Sequence, residues 1–335
     1  MRKMTIRVAV GVLLILIALM PPGSVIGRPS QLPPVCQQLA FSTEEEFVTQ
    51  GPEPPDGNPI ISDGDLLSST ANGCVICARN IELLSSFDLQ EVDLGLDAAD
   101  VIDAERSLVA FSTELDSPYV GQFTAGDLLA TNGMAIANVA LTDPFGAGHD
   151  IGLDAVHFVG DPAGIVAFLD EARQYSRADW LSDPGRLARM LVQYEIDIWF
   201  STEGTFGPME NPDILDGDLL SARGIKIAGN DSLLPGTVPA GIPVRGVDFG
   251  LDAITDARIP EGQLMYFSTE LLFEGDPSFT DGDILQAGNG VVARNADLIG
   301  CFEPKARELG LDALHKAFQA MDVNAYLPLI LRNFE

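Results

Sequence analysis

Apolar positions in this chain fall into short runs, separated by polar segments rich in Gly, Asp, Asn and Pro. That pattern predicts brief strands joined by tight turns rather than long amphipathic helices. The runs also recur in a fixed order. Four times an apolar stretch ends in Phe-Ser-Thr-Glu, at Phe41–Glu44, Phe111–Glu114, Phe200–Glu203 and Phe267–Glu270. A Gly-Asp-Leu/Ile-Leu step follows at Gly64–Leu67, Gly126–Leu129, Gly217–Leu220 and Gly282–Leu285. Next comes a Gly, a short apolar run and an Asn, at Asn80, Asn138, Asn230 and Asn295. The unit closes with acid-apolar-Gly-Leu-Asp-Ala at Asp93–Ala98, Asp150–Ala155, Asp248–Ala253 and Glu308–Ala313.

Each unit thus predicts about four strands: the run into Phe-Ser-Thr, the Asp-Leu-Leu segment, the Gly-to-Asn run and a fourth around Leu-Asp-Ala. The first is apolar throughout, as in Leu108–Phe111, which fits a strand buried on both faces. Self-similarity at this scale means copies of one supersecondary unit, stacked or arranged radially. The fold expected is all-β, a four-bladed β-propeller-like ring, since radial repetition leaves only short protected edges. A solenoid and a pair of two-unit sandwiches are the alternatives, because copy number does not dictate closure.

The phenylalanines that open the phrase are 70, 89 and 67 residues apart. The long middle interval holds 161–195, where Ile165–Arg173 and Pro184–Val192 have helical periodicity and Ser182-Asp183-Pro184 reads as a helix start. A helical hairpin inserted between the second and third repeats is therefore expected. The organisation read from the chain is repeat 1 over about 36–100, repeat 2 over about 105–160, the insertion at 161–195, repeat 3 over about 196–256 and repeat 4 over about 262–316. Leu314–Asp322 reads as a short helix, and 326–335 as an apolar C-terminal tail.

Composition narrows the setting. Arg2, Lys3 and Arg7 precede an apolar run of 13 residues, Val8–Met20, and a small-residue stretch, so 1–27 reads as a secretory signal peptide. A bilayer span needs about 20 residues, which leaves an uncleaved anchor as the lesser alternative and implies no stable membrane insertion after cleavage. The net charge is −30, and loss of the three N-terminal cations makes it −33. Such a surface repels nucleic acid and attracts cations.

Four cysteines in an exported chain imply disulfides, with three pairings open. A Cys36–Cys301 bridge would tie the first repeat to the last and leave Cys74 and Cys77 as a local pair across a bulge.

The sharpest polar motif is [Asn/Asp]-Pro, three residues, then Asp-Gly-Asp. It places Asn58, Asp63 and Asp65 in repeat 1, Asn211, Asp216 and Asp218 in repeat 3, and Asp276, Asp281 and Asp283 in repeat 4. Oxygen ligands around a flexible turn suit a hard cation, and Ca²⁺ is the one an exported protein meets. Repeat 2 carries Val120 and Ala125 at two of these positions. Two readings stay open, a calcium site and a metal-free turn network in which Asp accepts backbone N–H groups.

Two further carboxylates recur in every repeat: Glu44, Glu114, Glu203 and Glu270 in the opening phrase, and Asp97, Asp154, Asp252 and Asp312 in Leu-Asp-Ala. Recurrence favours architecture, with the aspartates satisfying backbone donors. The alternative is a symmetric ring of carboxylates lining a channel. No nucleophile elbow, phosphate loop, dinucleotide fingerprint or His-Glu-x-x-His occurs, and His149, His157 and His315 form no motif.

The repeat phrase and the Tyr-Leu-Pro-Leu-Ile-Leu-Arg-Asn ending resemble secreted bacterial β-repeat proteins, which implies export and β-repeats rather than an activity. Likeness to the haemopexin-type architecture extends only to blade number and proposed closure. The expected function is a secreted, non-catalytic binding or surface-interaction protein, with calcium as a stabiliser and an extracellular protein or glycan as ligand. An extracellular hydrolase or lyase using loop carboxylates is the alternative, and a structural envelope component a third reading.

Overall fold

A computed structural model describes residues 31–51, 53–70, 73–89, 92–208, 212–242, 246–259 and 262–317. The signal segment, the C-terminal tail and Asn211 lie outside the described residues. Repeat 1 contributes β1 (Leu39–Phe41), a small hairpin β2–β3 (Phe47–Val48 and Ile60–Ile61), β4 (Leu66–Thr70) and β5 (Gly73–Ala78). The later strands are β6 (Ala99–Asp103), β7 (Leu108–Phe111), β8 (Leu128–Ala130), β9 (Ala135–Ile136), β10 (Val156–Val159), β11 (Asp197–Phe200), β12 (Leu219–Ser221) and β13 (Ile225–Ala228). β14 (Ala253–Ile259), β15 (Gly262–Ser268), β16 (Ile284–Gln286), β17 (Gly290–Ala293) and β18 (Leu314–Lys316) complete the set.

These strands form four four-stranded antiparallel sheets, ordered β18-β1-β4-β5, β6-β7-β8-β9, β10-β11-β12-β13 and β14-β15-β16-β17. The strand after Leu-Asp-Ala does not stay with its own repeat. It crosses over and leads the next sheet, so sequence repeats and sheets are offset by one strand. The last such strand, β18, pairs with β1, with Leu39 opposite Lys316 and Phe41 opposite Leu314. That pairing corrects the helix expected at Leu314–Asp322: its start alternates as a strand because β1 offers an open edge. The leading strands β18, β6, β10 and β14 also touch in order, β18 to β6, β6 to β10, β10 to β14 and β14 to β18.

Neighbouring residues on one strand serve different cores. Ala40 and Leu66 pack with Phe111 between the first and second sheets, whereas Phe41 and Leu67 pack with Tyr266 and Ile284 between the first and fourth. Phe200 and Leu220 face the second sheet, and Trp199 and Leu219 face the fourth. A period of two with both faces buried explains the uninterrupted apolar runs.

The recurrent Asn opens a one-turn helix in each repeat: α1 (Asn80–Leu83), α2 (Asn138–Thr142) and, after the insertion, α6 (Asn230–Leu233) and α7 (Asn295–Ile299). The insertion holds three helices rather than a hairpin: α3 (Pro162–Ala172), α4 (Arg177–Ser182) and α5 (Arg186–Gln193). Asp161 caps α3, and Ser176 with Asp179 forms a capping box on α4, the local signal that a search for apolar periodicity passes over. Phe168, Trp180 and Leu187 are fully buried in the core between the second and third sheets, so the insertion is part of the hydrophobic structure. No helix among the described residues is long and apolar enough to cross a membrane.

The disulfides correct the expected pairing. Cys36 joins Cys77 and Cys74 joins Cys301, with Cα separations of 5.9 and 5.8 Å. Cys77 is the bulged residue of β5, because Leu66 pairs with Ala78 and Leu67 with Ile76. The bulge does not bring the two cysteines together, since Cys77 packs in the core between the first and second sheets and Cys74 in that between the first and fourth. The link between first and last repeats survives with Cys74 as its partner. A bridge over 227 residues removes more unfolded-chain freedom than one over 41. The Cys74→Ser/Cys301→Ser pair is therefore expected to lower stability by about 3–5 kcal/mol, more than Cys36→Ser/Cys77→Ser, as read from denaturant midpoints.

Candidate functional site

The repeat phrase is a set of side-chain bonds that aim carboxylates at one place. The serine of Phe-Ser-Thr-Glu is fully buried and donates to the carbonyl just ahead of Asp-Ala in the neighbouring sheet. Ser42 reaches Leu96 at 3.3 Å, Ser112 reaches Leu153 at 3.0 Å and Ser268 reaches Leu311 at 3.1 Å, and Ser201 bonds Leu251 in the same way. The threonine donates to the carbonyl two residues on, turning the chain at Thr43, Thr113, Thr202 and Thr269. The glutamate then lies across the Gly of Gly-Leu-Asp-Ala in its own sheet. Gly310, Gly95, Gly152 and Gly250 have φ of 67, 72, 81 and 70°, and a Cβ on any of them would meet Glu44, Glu114, Glu203 or Glu270 at 2.3–2.7 Å. Only Gly permits both the backbone and the close approach.

The buried asparagine holds the Leu-Asp-Ala loop. Asn80 donates to the Gly64 and Gly95 carbonyls and accepts from the Leu94 N–H at 3.0 Å. Asn138 and Asn295 repeat all three bonds, and Asn230 keeps those to Gly250 and from Phe249. The second Asp of the Gly-Asp step is likewise occupied. Asp65 accepts from the Ser62 and Asn80 N–H groups and from Arg79, and Asp283 from Thr280, Asn295 and Arg294. Asp218 accepts from the Leu215 N–H and pairs with Lys226 at 2.5 Å. Asp127, the counterpart in repeat 2, takes its cation from Arg177 of α4. The insertion thus supplies the partner that repeat 2 lacks. Arg177→Ala should cost about 3 kcal/mol in a urea titration, because it leaves a fully buried carboxylate with backbone donors but no cation.

Among the loop residues that suggested a cation, Asp63, Asp216 and Asp281 accept the N–H of the following glycine and raise Glu114, Glu270 and Glu44 respectively. Asn58 is exposed and accepts from the Ile60 N–H, and Asp276 is exposed beside Pro277. Both oxygens of Asp65 and Asp283, and Oδ2 of Asp218, are engaged as turn acceptors.

What remains is the recurrent carboxylates. Glu44, Asp97, Asp154, Glu203, Asp252, Glu270 and Asp312 line one cavity of about 320 Å³. Asp154, Asp252 and Asp312 are only 4, 4 and 7% exposed, whereas the glutamates are open to solvent. The expectation that these aspartates bind backbone donors is overturned: the Oδ2 atoms of Asp97, Asp154, Asp252 and Asp312 are buried without a hydrogen-bond partner. Burial, and then mutual repulsion, pushes all four well above the carboxylate range. The carboxyl ends of Glu44, Glu114 and Glu270 pack over Gly310, Gly95 and Gly250 and are partly desolvated there, which, helped by Asp281, Asp63 and Asp216, pushes them up to about 7.

Further along the same leading strands, Asp100 of β6 joins two histidines that the sequence left without a role. His315 Nδ1 lies 2.6 Å and His157 Nδ1 3.3 Å from Asp100, and His157 Nε2 lies 2.8 Å from Asp256. Burial opposes charge here, yet the imidazoles hold Asp100 well below the carboxylate range, and Asp100 and Asp256 raise His157 to about 9. Each of these residues stands on a different sheet-leading strand, so no local motif marks them.

Comparison with protein-family models, curated proteins and solved structures finds no match for this chain.

The carboxylate shifts fix a sign. A group whose folded pKa exceeds its unfolded value adds stability below the unfolded pKa and loses it as pH rises through the folded one. In chelator, the melting temperature should therefore fall between about pH 4.5 and 7.5, and Glu44→Gln should flatten that slope.

Proposed function

We propose that this is an exported, non-catalytic binding or surface-interaction protein, built as a four-bladed β-propeller-like ring and stabilised by calcium. The observation that carries the reading is the cavity of recurrent carboxylates, each drawn from an equivalent place in its repeat. Catalysis needs groups with unlike roles, and every acid lining this cavity has a counterpart in each other repeat. The ordered contacts of β18, β6, β10 and β14, and the serine bonds from sheet to sheet, support the ring. Two disulfides fit an oxidising compartment, and the acidic charge fits a surface that gathers cations rather than nucleic acid. The binding face on this reading is the end where the glutamates open to solvent, and its ligand is an extracellular protein or glycan.

The hydrolase or lyase reading draws on the Asp97–Glu203 and Asp154–Glu270 contacts, where carboxyl groups sit side by side. Release of reducing sugar from extracellular polysaccharides, abolished by Glu270→Gln alone, would favour it over binding.

A thermal melt in EDTA, in millimolar calcium and in magnesium of equal ionic strength tests the calcium clause. Calcium at a hundredfold excess over its dissociation constant adds about 2.7 kcal/mol, so a calcium-selective rise in melting temperature is expected. Superimposable melts would remove calcium from the reading and leave the binding face to be probed with glycans.

A further inference from the structure

The aspartates that line the cavity present the least expected chemistry in the molecule. A buried carboxylate normally accepts two or more hydrogen bonds, and a charge without them is costly. Here four equivalent Oδ2 atoms face inward with no donor, and among the described residues no lysine, arginine or histidine lines the cavity. Elsewhere in the same repeats the fold supplies partners readily, as Arg79, Lys226, Arg294 and Arg177 show. A chain that pairs its turn aspartates with cations and leaves these four without any has kept them for something that enters from outside.

The lining is not evenly disposed. Glu203 lies against Asp97 and Glu270 against Asp154, so each of these glutamates has one acidic neighbour. Glu44 instead lies beside Leu311 and Asp312. Glu44, Asp252 and Asp312 each offer a carboxylate oxygen within 4.8 Å of the others. Calcium–oxygen distances of about 2.3–2.6 Å place opposed ligands up to about 5 Å apart, so one ion reaches all three. The donors are oxygen only, which excludes a preference for softer metals.

We propose that Glu44, Asp252 and Asp312 form a calcium site in the cavity, and that the Asp-Gly-Asp loops hold the chain rather than the ion. The site rests on the calcium-stabilised reading above and gives it an address. Asp252 and Asp312 fix the ion from the buried side, and Glu44 closes on it from the exposed side. Calcium takes six to eight oxygens, and water fills the positions that three carboxylates leave. Three of the four repeats meet here, since Glu44 belongs to the first, Asp252 to the third and Asp312 to the fourth. The ion therefore joins segments far apart in sequence.

Calorimetric titration of the purified protein with Ca²⁺ tests the assignment, with Glu44→Gln and Asp312→Asn set against Glu203→Gln and Asp216→Asn. Each variant removes one carboxylate of the same acidic end. A loss of about tenfold or more in affinity is expected for Glu44→Gln and Asp312→Asn, and less than about threefold for Glu203→Gln and Asp216→Asn (tenfold is about 1.4 kcal/mol). Equal losses in all four would mean diffuse attraction by the acidic surface and would overturn the site. Loss confined to Asp216→Asn would return the ion to the loops. Absence of binding to the unaltered protein would sink the calcium clause itself, a result distinct from either. Melts in EDTA control for folding: Asp312→Asn removes a buried acid whose ionisation costs stability and should melt at or above the unaltered protein. If it melts lower in EDTA, Asp312 holds the fold without an ion, and the proposal fails.

Discussion

Each repeat is folded around a buried asparagine whose amide bridges two stretches of backbone that no strand ladder joins. Its Nδ2 donates to the glycine of the Gly-Asp step and to the glycine of Gly-Leu-Asp-Ala, and its Oδ1 accepts the N–H beside the latter, as Asn80, Asn138 and Asn295 show in full. A buried carbonyl left without a donor costs about 1–3 kcal/mol, so removal of this side chain frees the loop and exposes the debt at once. The consequences run outward. The pinned glycine keeps its positive φ, the glutamate of the neighbouring strand lies over it, and the following aspartate points into the shared cavity.

The offset between repeats and sheets is the second constraint. Because the strand after Leu-Asp-Ala leads the next sheet, no repeat can complete its own hydrogen bonding, and β18 must find β1. The Cys74–Cys301 bridge and the edge-to-face contact of Phe47 with Phe302 strengthen the same seam covalently and by packing. Such a seam joins chain ends at a high loop-closure cost, which cross-linking offsets. The insertion settles a different shortage: repeat 2 has no basic residue near Asp127, and α4 brings Arg177 to it while burying Trp180 in the core.

Charge is distributed unevenly between the two layers of the sheet-leading strands. Asp100 pairs with His315 and His157, and His157 with Asp256, so that layer stabilises the protein by pairing. The carboxylate layer does the reverse, holding unpaired acids that destabilise the metal-free chain as pH rises. On the reading proposed above, an incoming cation gains what the fold gave up.

Much of this was legible in the chain. The fourfold phrase established the strand count, the turn chemistry and the two-faced burial of strands such as Leu108–Phe111, because hydrophobic period and turn residues are local properties. The same phrase named Glu44, Asp252 and Asp312 as recurrent, yet recurrence alone pointed to architecture, and the nearby Asp-Gly-Asp spacing drew attention to the loops. Spacing could not say that Asp65 and Asp283 were already spoken for by Arg79 and Arg294, nor that Cys74 and Cys77 serve different cores. Those facts depend on which sheets lie side by side. Periodicity and composition by themselves determined what each repeat is made of. Only the tertiary structure decided which carboxylates meet with no partner between them, since that convergence joins residues from separate repeats, and no local stretch of chain contains it.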